Sequence, residues 1–241
     1  MTLTFLDFAT TARISGAAFR RQRPGPEREL VQEFLAGFQF DVPQGCHATV
    51  FCEPRIESGF PDIVVVLWSI ATAKKWTSDR SKLTRYDMQL VHYLFQVGHC
   101  SFAQLRAIFA RGLRASLDRL EAAHLIRGVQ DSWIPRPLSD VFATRRIIAI
   151  EAKVTAWSDA IDQAFLNRWF ASDSFVLLPD RKRSEKISAI AKSKGVRLCF
   201  PKQSIICGRS AFPEKLPLSY ASWLFNEWAW RFAQLGGGIH S

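Results

Sequence analysis

Two short stretches of the sequence hold the residue types that phosphoryl chemistry uses. One is Gly59-Phe60-Pro61-Asp62, followed at 63–68 by a nearly continuous β-branched run. The other is Ile150-Glu151-Ala152-Lys153, which closes the apolar run begun at Ile147 and Ile148. Proline is tolerated at a strand's first position, where no ladder N–H is needed, so Pro61 puts Asp62 at the mouth of a buried strand. Side chains alternate along a strand, so Glu151 and Lys153 share one face and Ala152 points the other way. If the two strands are neighbours, Asp62, Glu151 and Lys153 converge. An ionised Asp and Glu that close repel unless a cation intervenes. Mg²⁺ (or Mn²⁺) is the natural cation, since it binds through one or two carboxylates and keeps several waters. It polarises a phosphoryl oxygen and lowers the pKa of a bound water. Lys153 would hold the attacking water or stabilise negative charge growing on the phosphate. Each stretch alone has a plainer reading, Asp62 as a turn cap and Glu151–Lys153 as an ion pair on an edge strand.

The elements that must position these residues follow from pattern and punctuation. Pro24-Gly25-Pro26 sets up a helix over 27–38 with Leu30, Val31, Phe34 and Leu35 as its apolar stripe. Strands are expected at 48–53, 63–68, 146–154, 175–178 and 196–200, and helices at 158–170 and 181–194. Strands alternating with helices predict an α/β fold, a mixed sheet flanked by helices.

This arrangement resembles the PD-(D/E)XK nuclease superfamily, whose fold is restriction-endonuclease-like. Asp62 matches the motif's aspartate, and Glu151 with Lys153 matches its E-x-K. The early helix carries Glu27-Arg28-Glu29-Leu30, and resolvases of that superfamily have a similar Glu-Arg-x-Leu whose glutamate reaches the metal. The resemblance thus implies Glu27 as a third metal carboxylate, ahead of Glu29 and Glu33. It implies Gln163, in Asp162-Gln163-Ala164 after the E-x-K strand, as a supporting residue. It covers roughly 24–68 and 145–200. The implied activity is Mg²⁺-dependent hydrolysis of phosphodiester bonds, DNA before RNA and endonucleolytic in mode, and dimerisation is common in that superfamily.

Asp62 and Glu151 stand 89 positions apart, long for such a pair. Residues 77–137 break the α/β rhythm and explain the distance. They read as helix 85–97, short helix 102–110, helix 113–124 and a hairpin through Trp133-Ile134, with Gly98 and Gly112 at the junctions. That order predicts a winged helix-turn-helix inserted in a discontinuous core of 1–76 and 138–241. Arg111, Arg114 and Arg119 lie on or just before its candidate recognition helix, where arginine contacts phosphates or guanine edges. Because the module interrupts the connection between the two motif strands, a duplex held by it is expected close to Asp62 and Glu151.

The formal net charge of the 241 residues is +10, and the excess lies in the middle and C-terminal parts. A chain that basic favours a polyanionic partner, nucleic acid before a membrane surface. Arg181, Lys182, Arg183 and Lys186 are candidates for tracking phosphates beside the site. The five cysteines are odd in number and form no CxxC pair, so neither a disulfide framework nor a zinc site is suggested, and a reducing cytoplasm is the simplest home. The longest apolar run, 63–73, is too short to span a bilayer. No GxSxG or GxxxxGK[ST] occurs, so serine-hydrolase and nucleotide-hydrolysing chemistry lack a motif. The tail, 217–235, predicts a helix that covers the core, with Trp223 and Trp230 off its stripe and available to a homodimer or protein partner. The alternative function is a catalytically idle DNA-binding regulator or a partner-dependent subunit of a larger nuclease complex.

Overall fold

The computed structural model describes residues 4–6 (backbone), 16–37, 42–109, 111–182, 184–201 and 216–235. In chain order the elements are β1 (Thr4–Leu6), α1 (Pro26–Ala36), β2 (Cys46–Cys52), β3 (Ile63–Ser69) and α2 (Ile70–Ala73). Then come α3 (Arg85–Val97), β4 (Cys100–Ser101), α4 (Phe102–Ile108), α5 (Leu113–Ala122), β5 (Ile126–Val129), β6 (Ser132–Pro135) and α6 (Leu138–Val141). The chain closes with β7 (Thr144–Ala152), α7 (Trp157–Leu166), β8 (Asp173–Leu177), α8 (Glu185–Ser193), β9 (Arg197–Cys199) and α9 (Tyr220–Leu235). The described residues form two compact units. The first has 4–6, 17–68, 145–201 and 216–217; the second has Gly16, 69–144 and 218–235.

The first unit is a six-stranded sheet in the order β1-β2-β3-β7-β8-β9. The pairs β1–β2, β7–β8 and β8–β9 are parallel. All seven residues of β3 are buried, as expected of a strand covered on both faces. Alternation divides the core into two layers. Leu30, Val31 and Phe34 of α1 pack on Val65, Leu67, Ile148, Ile150 and Leu177. On the other face Ala160, Ile161 and Ala164 of α7, with Ile187 and Ala191 of α8, pack on Val176 and Leu178. The helix expected over 181–194 is shorter: Arg181 and Lys182 belong to a separate 3-10 turn, Asp180–Lys182. Arg183 lies outside the described residues.

The Asp62 side chain sits against Ala152, at the end of β7, just before β3 begins. The two central strands therefore run in opposite directions. The chain leaves the first unit after Trp68 and re-enters it at Arg145. Both points are the strand ends remote from Asp62 and Glu151, about 20 Å away at the usual rise of a strand. The expectation that the inserted segment interrupts the metal-bearing end is thereby corrected. It failed because a hairpin-like pair has two ends, and sequence spacing does not say which one carries the loop.

The second unit runs α3, β4, α4, α5 and the β5–β6 hairpin, with a small sheet ordered β4-β6-β5. Its helices start where local chemistry dictates. Thr84 and Asp87 form a capping box on α3, and Ser101 and Gln104 form one on α4. The unit is larger than the expected 77–137 and takes in α9. Asn226 Oδ1 accepts the N–H groups of Ala143 and Thr144 at 2.9 and 3.1 Å. Glu227 pairs with Arg80, each about 1% exposed. Arg231 donates to the carbonyls of Arg80 and Leu83. Trp223 and Trp230 are not available as a partner surface. Trp223 packs on Phe95 and Phe142, Trp230 packs on Trp76, and both are buried. A stripe at helical spacing could not reveal that α9 is covered all round. Among the described residues no helix is long and apolar enough to cross a membrane.

Candidate functional site

The site lies at the end of the first unit's sheet where β3 begins and β7 ends. Its approach is a tight turn: Ile56 and Gly59 exchange both backbone hydrogen bonds at 3.0 and 3.2 Å. Gly59 takes φ 126°, which an L side chain rarely adopts. Phe60-Pro61-Asp62 follows directly and delivers the carboxylate to the sheet. Asp62 Oδ2 accepts the Ala152 backbone N–H at 2.7 Å. Glu151, on the same strand end, accepts from Asn167 Nδ2 at 2.6 Å. Lys153, one residue past β7, extends to α1, with its Nζ 3.1 Å from Glu27 Oε1.

Asp62, Glu151, Lys153, Glu27 and Gln163 all line one cleft of about 550 Å³. The five residues singled out in the sequence are thus brought together, though not all in the expected parts. Glu27 is ion-paired with Lys153 and half exposed, whereas the ligand set inferred from resemblance had it beside Asp62 and Glu151. Glu29 and Glu33 are exposed on α1 and do not line the cleft. The side chain that bonds Glu151 is Asn167 rather than Gln163. Asn167 lies four positions beyond Gln163, which places both on the same side of a helical turn, and that spacing was the available signal.

Two further residues escaped the sequence reading. Glu53 follows β2, is buried, and holds φ 53°, strained for a non-glycine residue. Its N–H donates to the Asp62 carbonyl at 3.0 Å, its carbonyl accepts the Arg20 N–H at 3.0 Å, and its carboxylate pairs with the Arg20 guanidinium. The guanidinium also stands over the Phe60 ring, 5.0 Å from its centroid. Glu53 ends a strand next to the motif strand, so neighbouring strand ends are where a further acid was to be sought.

The electrostatics of the acids share one cause. Burial pushes the Asp62 carboxyl up to about 6, aided by the nearby Glu53 and opposed by the Ala152 N–H, Lys153 and Arg20. Burial and the charge of Asp62 push Glu151 up to about 8, opposed by the Asn167 hydrogen bond. Glu53 is raised by burial and held back by Arg20. The positive groups present leave the buried carboxylate pair undercompensated, and a divalent cation would relieve that deficit. Among the described residues no three His, Cys, Asp or Glu side chains converge as a ready ligand set. An ion held by Asp62 and Glu151 would therefore keep waters in much of its shell, which is the habit of Mg²⁺ rather than of zinc.

The basic residues named from sequence fall in several settings. Arg111 and Arg114 are exposed in the second unit, and Arg114 lies 5.9 Å from the ring centroids of both Phe102 and Trp133. Arg119 is committed elsewhere: its Nε and Nη2 donate to the buried Asp87 at 2.8 Å each. Burial raises the Asp87 carboxyl, but the bonds from Arg119, Ser116 and Thr84 outweigh that and hold it below the usual range. Arg119, one third exposed, is thus already paired and not a free phosphate contact. Arg181, Lys182 and Lys186 follow β8 and none lines the cleft. The cleft's own cations are Arg20, Arg23 and Arg28, with Lys153. Comparison with protein-family models, with curated proteins and with solved structures found no match, and the function of this chain is read from these residues alone.

Proposed function

We propose that this chain is a metal-dependent nuclease, hydrolysing phosphodiester bonds of DNA before RNA, of the PD-(D/E)XK kind. The observation that carries the reading is the convergence of Asp62, Glu151 and Lys153 from two strands 89 positions apart into one cleft. The sheet with α1 on one face and α7 and α8 on the other is compatible with a restriction-endonuclease-like core. The helix–strand–helix–helix–hairpin order of the second unit is compatible with a winged helix-turn-helix, and Arg111 and Arg114 are its candidate nucleic-acid contacts. A net charge of +10 suits a polyanionic substrate.

Asp62 and Glu151 would hold Mg²⁺ or Mn²⁺, which supplies Lewis acidity and a water of lowered pKa. The chain's own groups account for the rest. The Ala152 N–H and the Asn167 amide fix the two carboxylates in orientation. Glu27 pairs with Lys153 and orients its ammonium, which stabilises negative charge developing on a phosphoryl oxygen. Arg20, Arg23 and Arg28 offset the repulsion between a phosphate strand and four acids.

The test is cleavage of supercoiled plasmid and of labelled oligonucleotides with Mg²⁺, Mn²⁺ or EDTA, by wild type and Lys153→Ala. Metal-dependent cutting lost in the variant is the expected result. A pure protein that binds duplex in a salt-sensitive way but never cuts it points instead to a DNA-binding regulator or a subunit that needs a partner.

A further inference from the structure

Seven large hydrophobic side chains are exposed among the described residues. Val97, Ile108, Val129 and Leu138 belong to the second unit and are scattered there. The other three, which are all that the first unit exposes, fall within five residues: Phe165 at 46%, Leu166 at 62% and Trp169 at 37%. Isolated exposed apolar residues need no explanation, but a cluster beside a cleft does. This cluster adjoins the site. Leu166 lines the cleft, and Asn167, which bonds Glu151, lies between Leu166 and Trp169. The Trp169 indole N–H donates to Ser58 Oγ at 3.2 Å, on the loop that leads into Phe60-Pro61-Asp62. Trp169 is therefore held at the cleft's edge by a bond 111 positions long in sequence. Elsewhere in the cleft Phe60 carries the Arg20 guanidinium over its ring.

The rim is thus apolar and aromatic while the cleft beside it carries Arg20, Arg23 and Arg28. A paired duplex offers such a rim only phosphates, sugars and groove edges, because its base faces are stacked. An unpaired strand offers both parts at once, phosphates for the arginines and bare base faces for the rings. We propose that Leu166 and Trp169 form a platform for bases and that the cleft takes a nucleic-acid strand unpaired at the scissile phosphate: a single strand, a flap or a frayed end. This specifies the substrate class of the nuclease reading and rests on it.

The test uses the full chain and one oligonucleotide sequence in three forms: single strand, blunt duplex, and duplex with an unpaired arm. Binding is measured by anisotropy in EDTA, and cutting is measured separately in Mg²⁺. Wild type is expected to bind and cut the single strand and the armed duplex better than the blunt duplex. Trp169→Ala is expected to weaken single-strand binding by about tenfold, the size of one base stack, and Leu166→Gln by a smaller factor for its lost apolar contact, with blunt-duplex binding unmoved. Trp169→Phe, which keeps a ring and loses the N–H, is expected to retain most of the single-strand binding. Because Leu166 is largely exposed, its variant folds, which keeps the test decisive if Trp169→Ala does not. Equal loss for duplex and single strand, or no loss for either variant, overturns the platform, and the second result leaves the patch to a protein partner. Absence of metal-dependent cutting on all three forms defeats the nuclease reading instead, while the EDTA binding series still reports on the platform.

Discussion

Asp62 Oδ2 accepts the backbone N–H of Ala152 at 2.7 Å, so the first acid of the site is bonded to the residue that separates the other two polar groups. One hydrogen bond sets the register of Asp62 against Glu151 and Lys153, and it holds Asp62 close enough for its charge to raise the proton affinity of the buried Glu151.

Lys153→Ala is expected to lower cleavage about 10²–10³-fold with little effect on substrate binding, since the lost interaction is with charge that develops only on reaction. Glu27→Gln is expected to be milder, about tenfold, because it removes the partner that orients Lys153 and leaves the ammonium in place. Single-turnover rates of the two variants check both values. An equal loss would make Glu27 a metal ligand.

The raised carboxyls give a signed pH dependence. Asp62 and Glu151 ionise near 4 when unfolded, and at about 6 and about 8 when folded without metal. Between those limits the folded state holds more protons than the unfolded one, so stability falls as pH rises from about 4 to about 8. Metal-free thermal melts across that range are expected to show a declining Tm. At pH 8, Mg²⁺ is expected to restore it.

Asp62→Asn removes the charge that Glu151 repels. Its metal-free Tm at pH 8 is expected to exceed wild type's, and Mg²⁺ is expected to leave it unmoved. A Tm gain with Mg²⁺ equal to the wild type's would exclude Asp62 from the ion's shell.

Arg119→Ala and Arg114→Ala separate two arginines of one helix. Asp87 is fully buried, so losing Arg119 takes away its only ion-pair partner among the described residues and two of its hydrogen bonds, at a cost of about 2 kcal/mol. Arg114 has an exposed Asp118 at 4.0 Å and two rings at 5.9 Å, all at the surface end of an exposed side chain, so its loss is expected to change stability by less than about 0.5 kcal/mol and to weaken nucleic-acid binding. Urea melts and salt-dependent binding of each variant distinguish these outcomes.

Truncation after Pro217 removes Asn226, Glu227 and Arg231 and leaves Arg80 buried without its partner. A buried charge so stranded costs about 3–5 kcal/mol, so residues 69–144 are expected to lose their amide-exchange protection. The sheet of the first unit is expected to keep most of its protection, because those contacts reach it only at Thr144, the first residue of β7. Hydrogen exchange on the truncated chain reads the two units separately.

The sequence by itself determined most of the strands and helices, though neither β1 nor the start of α8, and it carried the motif. Local propensity, apolar period and turn residues are short-range properties, and Asp62, Glu151 and Lys153 sit where strand ends and punctuation put them. It also determined that residues from about 77 do not belong to the α/β rhythm. Only the tertiary structure decided which ends of β3 and β7 carry the loop, and so that the chain leaves the first unit far from Asp62. Only it decided that Arg119 turns inward to Asp87, that Glu53 and Asn167 join the acids, and that α9 completes the second unit. Each of these depends on pairings between residues tens of positions apart, and such pairings are set by packing and charge compensation among elements rather than by any pattern within one.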